Sequence, residues 1–595
     1  MIKVSDFIAK YLKDYGVEYV FMVTGGGAMH LNDSLGKDLK YICNHHEQAC
    51  AIAAEGYART ANRLAVVNVT TGPGGLNALN GVMGQWTDSV PVLYLSGQVK
   101  FETTIHACPE VKGLRQLGDQ EVDIIKIVSP ITKFAYMITD AKDIKYYLQK
   151  AIYEATSGRP GPVWLDIPMN IQGALVNELE LKSFEIPKVT EVSKANLSHQ
   201  IKLVAEKLKT AKRPVILAGH GIRISDGINE LHTLLNNCDI PVVTTFNGID
   251  SIDDDHKNYI GRFGTLGNRA GNFTVQNADV LITIGTRNNI RQVSYNWEFF
   301  ARESYKIIVD IDEAELLKPT VKPDLAVCSD AKEFIMLLIN ELNTSISGQH
   351  QDWLNWAKNR KDKYPSVLPE YHHTKDGVHP YVFMELLGKQ LPENSICVTG
   401  DGTACVAPFQ AMPIKNKARV FWNSGCASMG YDLPAAIGAA LADPDRTIVC
   451  FAGDGSIMMN IQELQTLSTL SSNFKLFILD NGGYLSIKQT QSNFFGRYHG
   501  SNPESGVTFP NFETLASAFG LNTMTLNPNN WHSELKEIFS DSSVRVAIAK
   551  LDEEQEFEPR LRSRIVNGEI QTPELDDMYP HISDVELVQI RESAG

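Results

Sequence analysis

Short apolar stretches that end in glycine-rich turns recur along this chain, and each leads directly into a helical segment. Clear examples are LAVVNV followed by TTGPGG, RPVILA followed by GHG, and TIVCFA followed by GDGS. Such alternation of strand and helix is typical of α/β domains, in which a parallel sheet is covered by helices on both faces. The pattern therefore predicts an α/β protein built from doubly wound parallel sheets.

The alternation falls into three blocks separated by stretches without periodicity. A chain of 595 residues is too long for one hydrophobic core, so several domains are expected. We predict an N-terminal domain over residues 1–180, a central nucleotide-binding-like domain over 190–345, a C-terminal domain over 365–551 and a tail over 552–595. The tail is charged and has little periodicity, and we expect it to wrap on the surface or over a site.

The first and third blocks share the same order of elements. In the first, the alanine-rich helix ACAIAAEGYARTANR precedes LAVVNV and its glycine turn; in the third, LPAAIGAALADPDR precedes TIVCFA and GDGS. Two related α/β domains that flank a different one suit a site built between them, because ligands of open α/β sheets bind at the carboxyl ends of the strands.

Composition excludes several classes of function. The net charge is −15 at pH 7 and no long run of Lys and Arg occurs, which argues against nucleic acid as a partner. No apolar run is long enough to span a bilayer, and the amphipathic N-terminal segment lacks the apolar core of a signal peptide. The nine cysteines are scattered without CxxC pairs, as expected of free thiols in a reducing compartment. We therefore expect a cytoplasmic protein.

The most informative motif is the aspartate between two glycines in GDGSIMMNIQELQTL. Asp454 follows an apolar strand, where a carboxylate is costly to desolvate unless something pairs with it. The turn also presents N–H groups at the start of a helix predicted from Ile457, which suits phosphate, although a carboxylate would repel phosphate directly. A divalent cation held by Asp454, with a diphosphate held by the cation, resolves this conflict. The next strand, FKLFILD, leads to Asn481 and Gly483, which offer an amide oxygen and a backbone carbonyl.

Each of these turns has a simpler interpretation when it is taken alone. GDGS is compatible with an N-capping turn, and DNGG with a hairpin turn. A GDG at one strand end, followed by a DN at the next strand end, is more specific than either motif and favours the metal–diphosphate interpretation.

These residues resemble the diphosphate and metal motif of thiamine-diphosphate enzymes, in which GDG is followed further along by NN. The first Asn of that pair is Asp480 here, at a position that does not itself ligate metal in the family. The resemblance implies that Asp454, Asn481 and the carbonyl of Gly483 hold Mg²⁺.

The same resemblance implies a glutamate that protonates the aminopyrimidine ring of the cofactor. Glu47 in CNHHEQACAIAAEGYART nearly completes the family pattern His-Glu-x-x-Ala-x-x-x-Ala-x-Gly-Tyr-Ala. The alternative is a glutamate that only favours the helix dipole, and Glu55 indicates that glutamates are not rare in this helix. Position within the pattern selects Glu47 as the catalytic residue, and we expect it to be buried.

Further segments over nearly the whole chain are similar to acetolactate synthases. The resemblance places Gly26, Gly27 and His30 of TGGGAMHLNDSL near the reacting carbons, and it makes Gln120 of DQEVDII a polar contact to substrate. Lys133 of SPITKFAY falls on a matched position that is assigned to substrate.

The cofactor contacts of the third block follow from the same resemblance. Together with Glu47, the implied thiamine-diphosphate contacts are Gly402, Thr403, Ser428, Met429, Asp454, Gly455, Ser456 and Asn481. Met429 of NSGCASMGYDLPAAIGAA would lie under the thiazolium ring. For Met429 alone, a core methionine would be the more common interpretation.

The middle block resembles the flavin-binding segments of acetolactate synthases, although the glycine-rich turn of RPVILAGHGI is a weak nucleotide signal by itself. Positions that match FAD contacts of that family are Arg159, Gly219, Gly264, Arg287, Asp310, Asp312 and Asp330. In that group the flavin does no net redox work, and several relatives keep the domain without it. The resemblance implies FAD as a third cofactor beside thiamine diphosphate and Mg²⁺.

The chain departs from the acetolactate synthase pattern after the metal motif. Where the family has Gly-Met-Val-x-Gln-Trp, the chain has LSIKQT, so Gln489 matches and the tryptophan is Thr490. Loss of this large apolar wall of the second-substrate pocket predicts a different or larger acceptor. His30 stands where the family has proline, which adds a proton donor or hydroxyl partner. The tail is similar to tails of carboligases from branched-sugar pathways.

The resemblance implies a thiamine-diphosphate- and Mg²⁺-dependent acetolactate synthase-like carboligase. Such an enzyme decarboxylates pyruvate and transfers the hydroxyethyl unit, at the acetyl level, to pyruvate, another 2-oxoacid or a keto-sugar. The alternatives are a simple 2-oxoacid decarboxylase, a flavin-dependent pyruvate oxidase and a non-catalytic relative. The presence of both Glu47 and Asp454 argues against the non-catalytic relative. In this family the site lies between two chains, so a homodimer or homotetramer is expected.

Overall fold

The computed structural model describes residues 1–187, 191–343, 346–374, 376–566 and 568–594. Within them the chain forms three six-stranded sheets, one in each of three domains, and two small two-stranded sheets. All neighbouring strands of the six-stranded sheets are parallel. This confirms the predicted α/β architecture of three doubly wound parallel-sheet domains, while the exact domain boundaries remain predictions.

The first domain has the sheet order β3-β2-β4-β5-β7-β6. Its strands are β1 (Ile2–Lys3), β2 (Tyr19–Met22), β3 (Lys40–Cys43), β4 (Ala65–Val69), β5 (Val92–Gln98), β6 (Phe134–Met137), β7 (Val163–Pro168) and β8 (Leu175–Val176), with β1 and β8 paired separately. Its helices are α1 (Val4–Tyr15), α2 (Met29–Asp38), α3 (Glu47–Ala61), α4 (Pro73–Asn77), α5 (Leu79–Asp88), α6 (Ile124–Val128), α7 (Ile144–Thr156) and α8 (Met169–Gln172). Strands β4 and β5 are buried along their whole length, which explains their continuous apolar sequences.

The middle domain has a different strand order, β11-β10-β9-β12-β13-β14. Its strands are β9 (Pro214–Ala218), β10 (Val242–Thr244), β11 (Tyr259–Arg262), β12 (Val280–Ile284), β13 (Tyr305–Asp310) and β14 (Leu325–Cys328). Its helices are α9 (Glu191–Thr210), α10 (Gly221–Ile224), α11 (Ile228–Asn236), α12 (Arg269–Gln276), α13 (Ile290–Val293), α14 (Glu313–Leu317) and α15 (Ala331–Leu342). Ranked along the chain, the order is 3-2-1-4-5-6, the order of dinucleotide-binding sheets.

The third domain is reached through α16 (Gln351–Lys363) and has the sheet order β16-β15-β17-β18-β20-β19. Its elements are α17 (Pro380–Gln390), β15 (Ile396–Thr399), α18 (Thr403–Ala411), β16 (Arg419–Phe421), α19 (Asp432–Ala442), β17 (Ile448–Gly453), α20 (Asp454–Ile457), α21 (Glu463–Ser468), β18 (Phe474–Asp480), α22 (Leu485–Phe495), α23 (Phe512–Ala518), β19 (Asn522–Thr525), α24 (Trp531–Ile538) and β20 (Arg545–Lys550). Ranked along the chain, the first and third sheets share the order 2-1-3-4-6-5. The shared order of elements in the first and third sequence blocks thus corresponds to one shared strand order.

Helices α3 and α19 pack the first domain against the third at very short range. A Cβ atom on Gly438 would lie 1.8 Å from the carbonyl oxygen of Ala53, and one on Gly56 would lie 2.0 Å from that of Ala435. Because the pairs 53–438 and 56–435 run in opposite directions, the two helices are antiparallel. The small residues of both predicted helices therefore allow the two helix backbones to come into close contact between the domains.

The stretches without periodicity between the blocks contain regular structure. The stretch after Gln172 includes β8 and the start of α9, and residues 188–190 of it lie outside the described residues. The polar stretch before the third block contains α16, whose Trp353 Nε1 donates a hydrogen bond to the carbonyl oxygen of Pro214 at 3.1 Å. This helix was hidden by its polar composition, since only one face of it is buried.

The tail folds back across the other domains. It contains the hairpin β21 (Arg564–Val566) and β22 (Glu569–Gln571) and the helix α25 (Asp584–Glu592). Asn272 Nδ2 of the middle domain donates to Leu575 O at 2.8 Å, and Trp356 Nε1 donates to Ser593 Oγ at 3.2 Å. The tail therefore packs against the middle domain and α16, and its helix α25 was not predicted.

All nine cysteines lie in the described part of the chain, and each is a free thiol. No helix in that part combines the length and the apolar character needed to cross a lipid bilayer.

Candidate active site

At the carboxyl edge of the first sheet, several predicted site residues gather around the turn of residues 70–74 that follows β4. Gly27 N donates a hydrogen bond to Thr70 Oγ1 at 3.2 Å, and a Cβ atom on Gly27 would lie 1.9 Å from Thr71 Oγ1. Only glycine fits at that position. Gly26, next to it, has open space around its Cβ position.

Glu47 lies at the same edge, as the first residue of α3. It is 9% exposed, so the expected burial is observed. Asn77 Nδ2 donates a hydrogen bond to Glu47 Oε2 at 2.9 Å, and a Cβ atom on Gly74 would lie 3.6 Å from Glu47 Oε1. One carboxylate oxygen is thus held by an amide, and the absence of a side chain at Gly74 leaves room beside the other.

Gln120 closes over the same turn through its backbone. Gln120 and Gly72 both have φ of 64°, and a Cβ atom on Gly72 would lie 2.0 Å from the carbonyl oxygen of Gln120. A glutamine in the left-handed region is uncommon and is held by its surroundings. The structure therefore brings Gly26, Gly27, Glu47 and Gln120 to one edge of the first sheet.

Two other predicted residues of the first domain have different surroundings. His30, in α2, packs beside Gly173, where a Cβ atom would lie 3.0 Å from His30 Nε2. Lys133 immediately precedes β6 and therefore lies at the amino edge of the sheet, opposite to Glu47. Its Nζ donates to Ser157 O at 2.6 Å, and burial lowers the pKa of its ammonium group. Within one chain the structure does not bring Lys133 to the turn.

In the third domain, Asp454 is buried at the end of β17 and accepts three hydrogen bonds from backbone N–H groups. The donors are Gly455 N at 2.7 Å, Gly483 N at 2.9 Å and Asn481 N at 3.1 Å. Burial raises the pKa of Asp454 to about 7, although these N–H groups favour its charged form. The helix begins at Asp454 and not at the predicted Ile457, because Gly453 has extended backbone and takes the N-cap position.

The three predicted metal ligands are close neighbours. Asn481 Nδ2 donates to Gly483 O at 3.1 Å, and the N–H groups of both residues reach the same oxygen of Asp454. A carboxylate, an amide and a backbone carbonyl form the kind of oxygen-donor set that Mg²⁺ accepts. The described residues contain no cluster of three or more His, Cys, Asp or Glu side chains that could hold a metal, and this mixed set needs none. The residues present fit Mg²⁺.

The loop that carries Met429 is tied to the turn that carries Asp454. Ser456 Oγ accepts a hydrogen bond from Gly430 N at 2.8 Å and donates one to Asp432. Asn460 Nδ2 donates to Gly430 O at 2.7 Å. Burial raises the pKa of Asp432 to about 6.

Gly402 and Thr403 follow β15, the neighbour of β17 in the sheet. Gly402 has φ of 65°, and a Cβ atom there would lie 3.9 Å from Ser486 Oγ. Thr403 begins α18, and its buried hydroxyl has no hydrogen-bond partner among the described residues. An unsatisfied hydroxyl beside free N–H groups at a helix start fits a diphosphate. Ser428 Oγ points instead to the first domain, where it donates to Asn80 Oδ1 at 2.6 Å.

Within one chain, the residues around Glu47 and the residues around Asp454 belong to different domains. Helices α3 and α19 are antiparallel, so Glu47 at the start of α3 and Asp432 at the start of α19 lie toward opposite ends of the helix pair. Asp432 holds Ser456 of the metal turn. A ligand that bridges both groups within one chain would have to span about 18 Å along the helix pair, at about 1.5 Å per residue.

A large cleft opens where the middle domain faces the other two, at the carboxyl ends of β9, β12 and β13. It has about 1320 Å³ of space free of atoms, part of which is open to solvent. Among the predicted FAD contacts, those that line it are Arg159, Gly264, Arg287, Asp310 and Asp330. Gly219 packs beside the cleft, where a Cβ atom would lie 2.2 Å from Gly285 O. The position is the one at which open α/β sheets bind nucleotides.

Arg159 links the first domain to the middle domain at this cleft. Its Nη1 lies 2.9 Å from Asp312 Oδ2 and 2.9 Å from Glu315 Oε1, and its Nε donates to Ser89 Oγ at 2.8 Å. Asp312 and Asp330 also cap α14 and α15 by accepting hydrogen bonds from backbone N–H groups. Both aspartates therefore have structural roles, whatever else they bind.

Gln489 and Thr490, on α22, have different surroundings. Thr490 is exposed, and its Oγ1 donates to Ser486 O at 2.9 Å. Gln489 is buried; its Nε2 donates to Gln555 O at 3.0 Å, and its Oε1 accepts from Arg560 Nη1 at 3.3 Å. The structure thus places the tail against the helix that follows the metal turn.

Several residues at these sites were not singled out from the sequence. Asn77 lies only a few residues beyond the glycine-rich turn TTGPGG and could have been noted there. Arg291 lines the cleft, and its guanidinium lies 5.7 Å from the ring centroid of Phe246. Nothing local marks Arg291, Gln555 or Arg560, because their positions depend on contacts between domains.

Comparison with protein families agrees with this geometry. Residues 2–126 match the model of the thiamine pyrophosphate (thiamine diphosphate) enzyme N-terminal TPP binding domain, residues 201–338 the central domain, and residues 400–547 the C-terminal TPP binding domain. The chain is 32% identical over 555 residues to the acetolactate synthase large subunit of Lactococcus lactis subsp. lactis (strain IL1403), covering 91% of this chain and 92% of that protein.

Two further relatives show the same extent of similarity. The chain is 30% identical over 575 residues to the acetolactate synthase isozyme 1 large subunit of Escherichia coli (strain K12), covering 95% of this chain and 97% of that protein. It is 32% identical over 529 residues to the acetolactate synthase large subunit of Pyropia yezoensis, covering 86% and 85%. With three matching domains and similarity over nearly its whole length, the chain belongs to the acetolactate synthase large-subunit family of thiamine pyrophosphate enzymes.

Proposed function

We propose that this protein is a thiamine pyrophosphate- and Mg²⁺-dependent carboligase of the acetolactate synthase type. It removes CO₂ from pyruvate and joins the remaining two-carbon unit to the carbonyl carbon of a second 2-oxoacid or a keto-sugar. With an acceptor R–CO–R′, pyruvate and one proton yield CO₂ and CH₃–CO–C(OH)RR′, so atoms and charge balance. The observation that carries the proposal is the buried Asp454, held within hydrogen-bonding distance of Asn481 and Gly483 in a TPP-binding domain of this family.

The residues of the third domain would hold the cofactor. When bound, thiamine pyrophosphate supplies the electron sink for the loss of CO₂. Asp454, Asn481 and the Gly483 carbonyl would hold Mg²⁺, and the Thr403 hydroxyl and the N–H groups of its helix would hold the diphosphate. Met429 would support the cofactor rings.

The residues of the first domain would act on the other end of the cofactor and on the substrate. Glu47 would exchange a proton with the cofactor through its buried carboxyl group, and Asn77 holds Oε2 so that Oε1 is left free for this exchange. Gly26 and Gly27 let the cofactor and substrate approach the backbone closely, and Gln120 provides a polar contact.

We propose that the complete site forms between two copies of the chain. The groups around Glu47 and Asp432 lie toward opposite ends of the antiparallel pair α3 and α19, which supports pairing each group with its counterpart in a second chain. The resemblance to the acetolactate synthase family also leads us to expect a site between two chains. A homodimer is the smallest assembly that completes two sites, and a homotetramer would contain two such dimers.

FAD is proposed as the occupant of the cleft in the middle domain. Arg159, Arg287 and Arg291 place three guanidinium groups around it, which suits a diphosphate, and Asp310 stands at the end of β13. The free state of all nine cysteines supports a reducing, cytoplasmic location.

Glu47→Gln tests the proposed function. We expect carboligation to fall by at least about 100-fold, since the variant cannot exchange a proton at this position, while Mg²⁺-dependent binding of thiamine pyrophosphate stays close to that of the unaltered protein. Product formation from pyruvate, followed by mass spectrometry, and cofactor titration by calorimetry measure the two effects.

The matched control is Glu18→Gln, because Glu18 is an exposed glutamate of the same domain that pairs with Lys40. It should leave both quantities unchanged. Normal turnover of Glu47→Gln would contradict the assignment. The products themselves separate the rival activities: acetaldehyde alone indicates a decarboxylase, acetate or acetyl phosphate an oxidase, and a new carbon–carbon bond a carboligase.

A further inference from the structure

The tail begins beside the metal turn and runs along the helix that follows it. A Cβ atom on Gly482 would lie 2.8 Å from Glu553 Oε2, which places the first tail residues against the turn of Asn481 and Gly483. Further on, Gln489 Nε2 of α22 donates to Gln555 O at 3.0 Å. The tail therefore follows α22 outward from the proposed cofactor site.

Three separate elements hold this part of the tail in place. Gln410 Nε2 of α18 donates to Pro559 O at 2.6 Å, and Tyr381 Oη accepts a hydrogen bond from Glu558 N at 3.0 Å. Leu561 N donates to Thr265 O at 2.8 Å in the middle domain. The segment 555–561 is thus a fixed layer between α18, α22 and the middle domain.

This layer connects with the cleft of the middle domain. Thr265 N and Thr265 Oγ1 donate to Arg291 O at 3.1 and 2.6 Å, and Arg291 lines the cleft. The tail segment 555–561 therefore connects Gln489 of α22 with the Thr265 loop beside the cleft. Thr490, the residue after Gln489, stands where the acetolactate synthase pattern has its tryptophan.

The layer contains buried polar atoms that the described residues leave without hydrogen bonds. Gln555 is 6% exposed, and neither its Nε2 nor its Oε1 has a partner. Arg560 has its Nη1 on Gln489 Oε1 and its Nη2 3.8 Å from Glu556, but its buried Nε has no hydrogen-bond partner. Buried polar groups are rarely left unsatisfied, so these atoms point to a ligand or to ordered water.

The unsatisfied atoms discriminate between kinds of acceptor. A side-chain amide presents two donors and an acceptor, and a hydroxyl group is both donor and acceptor, so hydroxyl groups can satisfy both ends of Gln555. A carboxylate only accepts, and an alkyl chain does neither. A site built to bond hydroxyl groups rejects analogues that lack them, because its own polar atoms are then left unpaired.

From these contacts, and resting on the proposed function, we infer that the tail segment Gln555–Arg560 recognises the acceptor and selects a hydroxylated ketone. Such a compound carries hydroxyl groups next to the carbonyl carbon that receives the two-carbon unit. Thr490 is smaller than the tryptophan of the family pattern. Its neighbour Gln489 contacts both Gln555 and Arg560, whose unsatisfied polar atoms would bond the hydroxyl groups of the acceptor. The bond that forms joins the acetyl carbon to the ketone carbon, and the ketone oxygen takes one proton to become a tertiary hydroxyl.

A competition experiment on the unaltered full-length protein tests this inference without any variant. The protein, loaded with thiamine pyrophosphate and Mg²⁺, receives pyruvate together with equal concentrations of dihydroxyacetone and pentan-3-one, which differ only in hydroxyl against methyl groups. We expect the dihydroxyacetone product to exceed the pentan-3-one product by at least about tenfold. Equal yields, or a preference for pentan-3-one, would overturn the inference.

Variants then locate the preference. Gln555→Leu removes both unsatisfied amide atoms, and Arg560→Lys keeps a positive charge but removes Nε; each should lower kcat/KM for dihydroxyacetone by about tenfold. Gln571→Leu is the matched control, because Gln571 is exposed on β22 and should leave this value unchanged. Thermal unfolding of all three identifies any variant that fails to fold.

The two proposals fail in different ways. If no CO₂ is released from pyruvate, the proposed function fails and this inference falls with it. If CO₂ is released but acetolactate or the alkyl product dominates, the carboligase stands and the inference is overturned. A dihydroxyacetone preference that survives Gln555→Leu in a folded variant also overturns it, since the selection then lies elsewhere.

Discussion

Asp454 is a buried carboxylate whose hydrogen-bond partners, among the described residues, are N–H groups of its own and the neighbouring turn. No ion pair in that part of the chain reaches it, so burial dominates and raises its pKa to about 7. A divalent cation beside this carboxylate would favour its charged form. Metal binding therefore relieves a cost that the folded chain otherwise bears at this residue.

Asp454→Asn should weaken binding of thiamine pyrophosphate in the presence of Mg²⁺ by about 100-fold, because an amide is a poorer ligand for a hard cation than a carboxylate. Calorimetric titration with and without EDTA measures the loss. The matched control is Asp480→Asn, since Asp480 is only half-buried and accepts one long hydrogen bond from Gly482 N at 3.4 Å. Its affinity should stay within about threefold of the unaltered protein. Equal affinities of Asp454→Asn and the unaltered protein would contradict the metal assignment.

The local chemistry of the turns was predictable at the level of single residues. Asp454, Asn481 and Gly483 follow adjacent parallel strands, and strand ends that neighbour each other in a sheet must lie close. Glu47 was likewise identified by its place in a motif. The partner of Glu47, by contrast, is Asn77, which lies outside that motif and meets Glu47 only because α4 packs over the start of α3.

Among the elements, the crossing of α3 and α19 depends on glycine at two positions. Gly438→Ala would place a Cβ atom 1.8 Å from Ala53 O, so the helices must move apart. We expect a loss of stability of about 1–3 kcal/mol, as for other overpacked contacts. Thermal unfolding or urea titration of the purified variant measures it.

Gly36→Ala is the control for this substitution, because Gly36 lies in α2 and its Cβ position is 3.6 Å from the nearest atom of Tyr41. Alanine there should be neutral or stabilising by up to about 1 kcal/mol. If Gly438→Ala were as stable as Gly36→Ala, the two helices could move apart without loss of stability, which would contradict this prediction.

Elements were predicted well where an apolar pattern was strong and poorly where it was not. The buried strands β4, β12 and β17 were recognised because both of their faces are covered. Helix α16 was missed because it buries one face only and most of its residues are polar. The order of strands in the sheets could not be read from the pattern, since strand pairing is set by the way the helices cross over.

For the whole molecule, mixing two inactive variants tests whether sites form between chains. Glu47→Gln and Asp454→Asn damage opposite halves of the site. In a mixed dimer with sites between chains, one site carries both changes and the other carries neither. Random mixing should therefore restore about one quarter of full activity, because half of the dimers are mixed and each has one intact site.

The two variants are denatured or dissociated together, reassembled and assayed for product formation. Each variant mixed with itself is the control and should stay inactive. Absence of recovery, with mixed dimers detected by native mass spectrometry, would place each site within a single chain.

The path of the tail was the least predictable feature of the whole molecule. Gln555 and Arg560 lie far from Gln489 along the chain, and no local pattern indicates that the tail lies against α22. Its unsatisfied polar atoms become visible only when the domains are assembled.

At the junction of α3 and α19 one backbone rests directly on another, with glycine and alanine on both sides. Sliding motions between packed helices proceed by rearrangement of the side chains between them, and this junction has almost none to rearrange. The first and third domains should consequently move together as one rigid body. Any motion that admits or releases small molecules must therefore occur elsewhere in the molecule than at this helix junction.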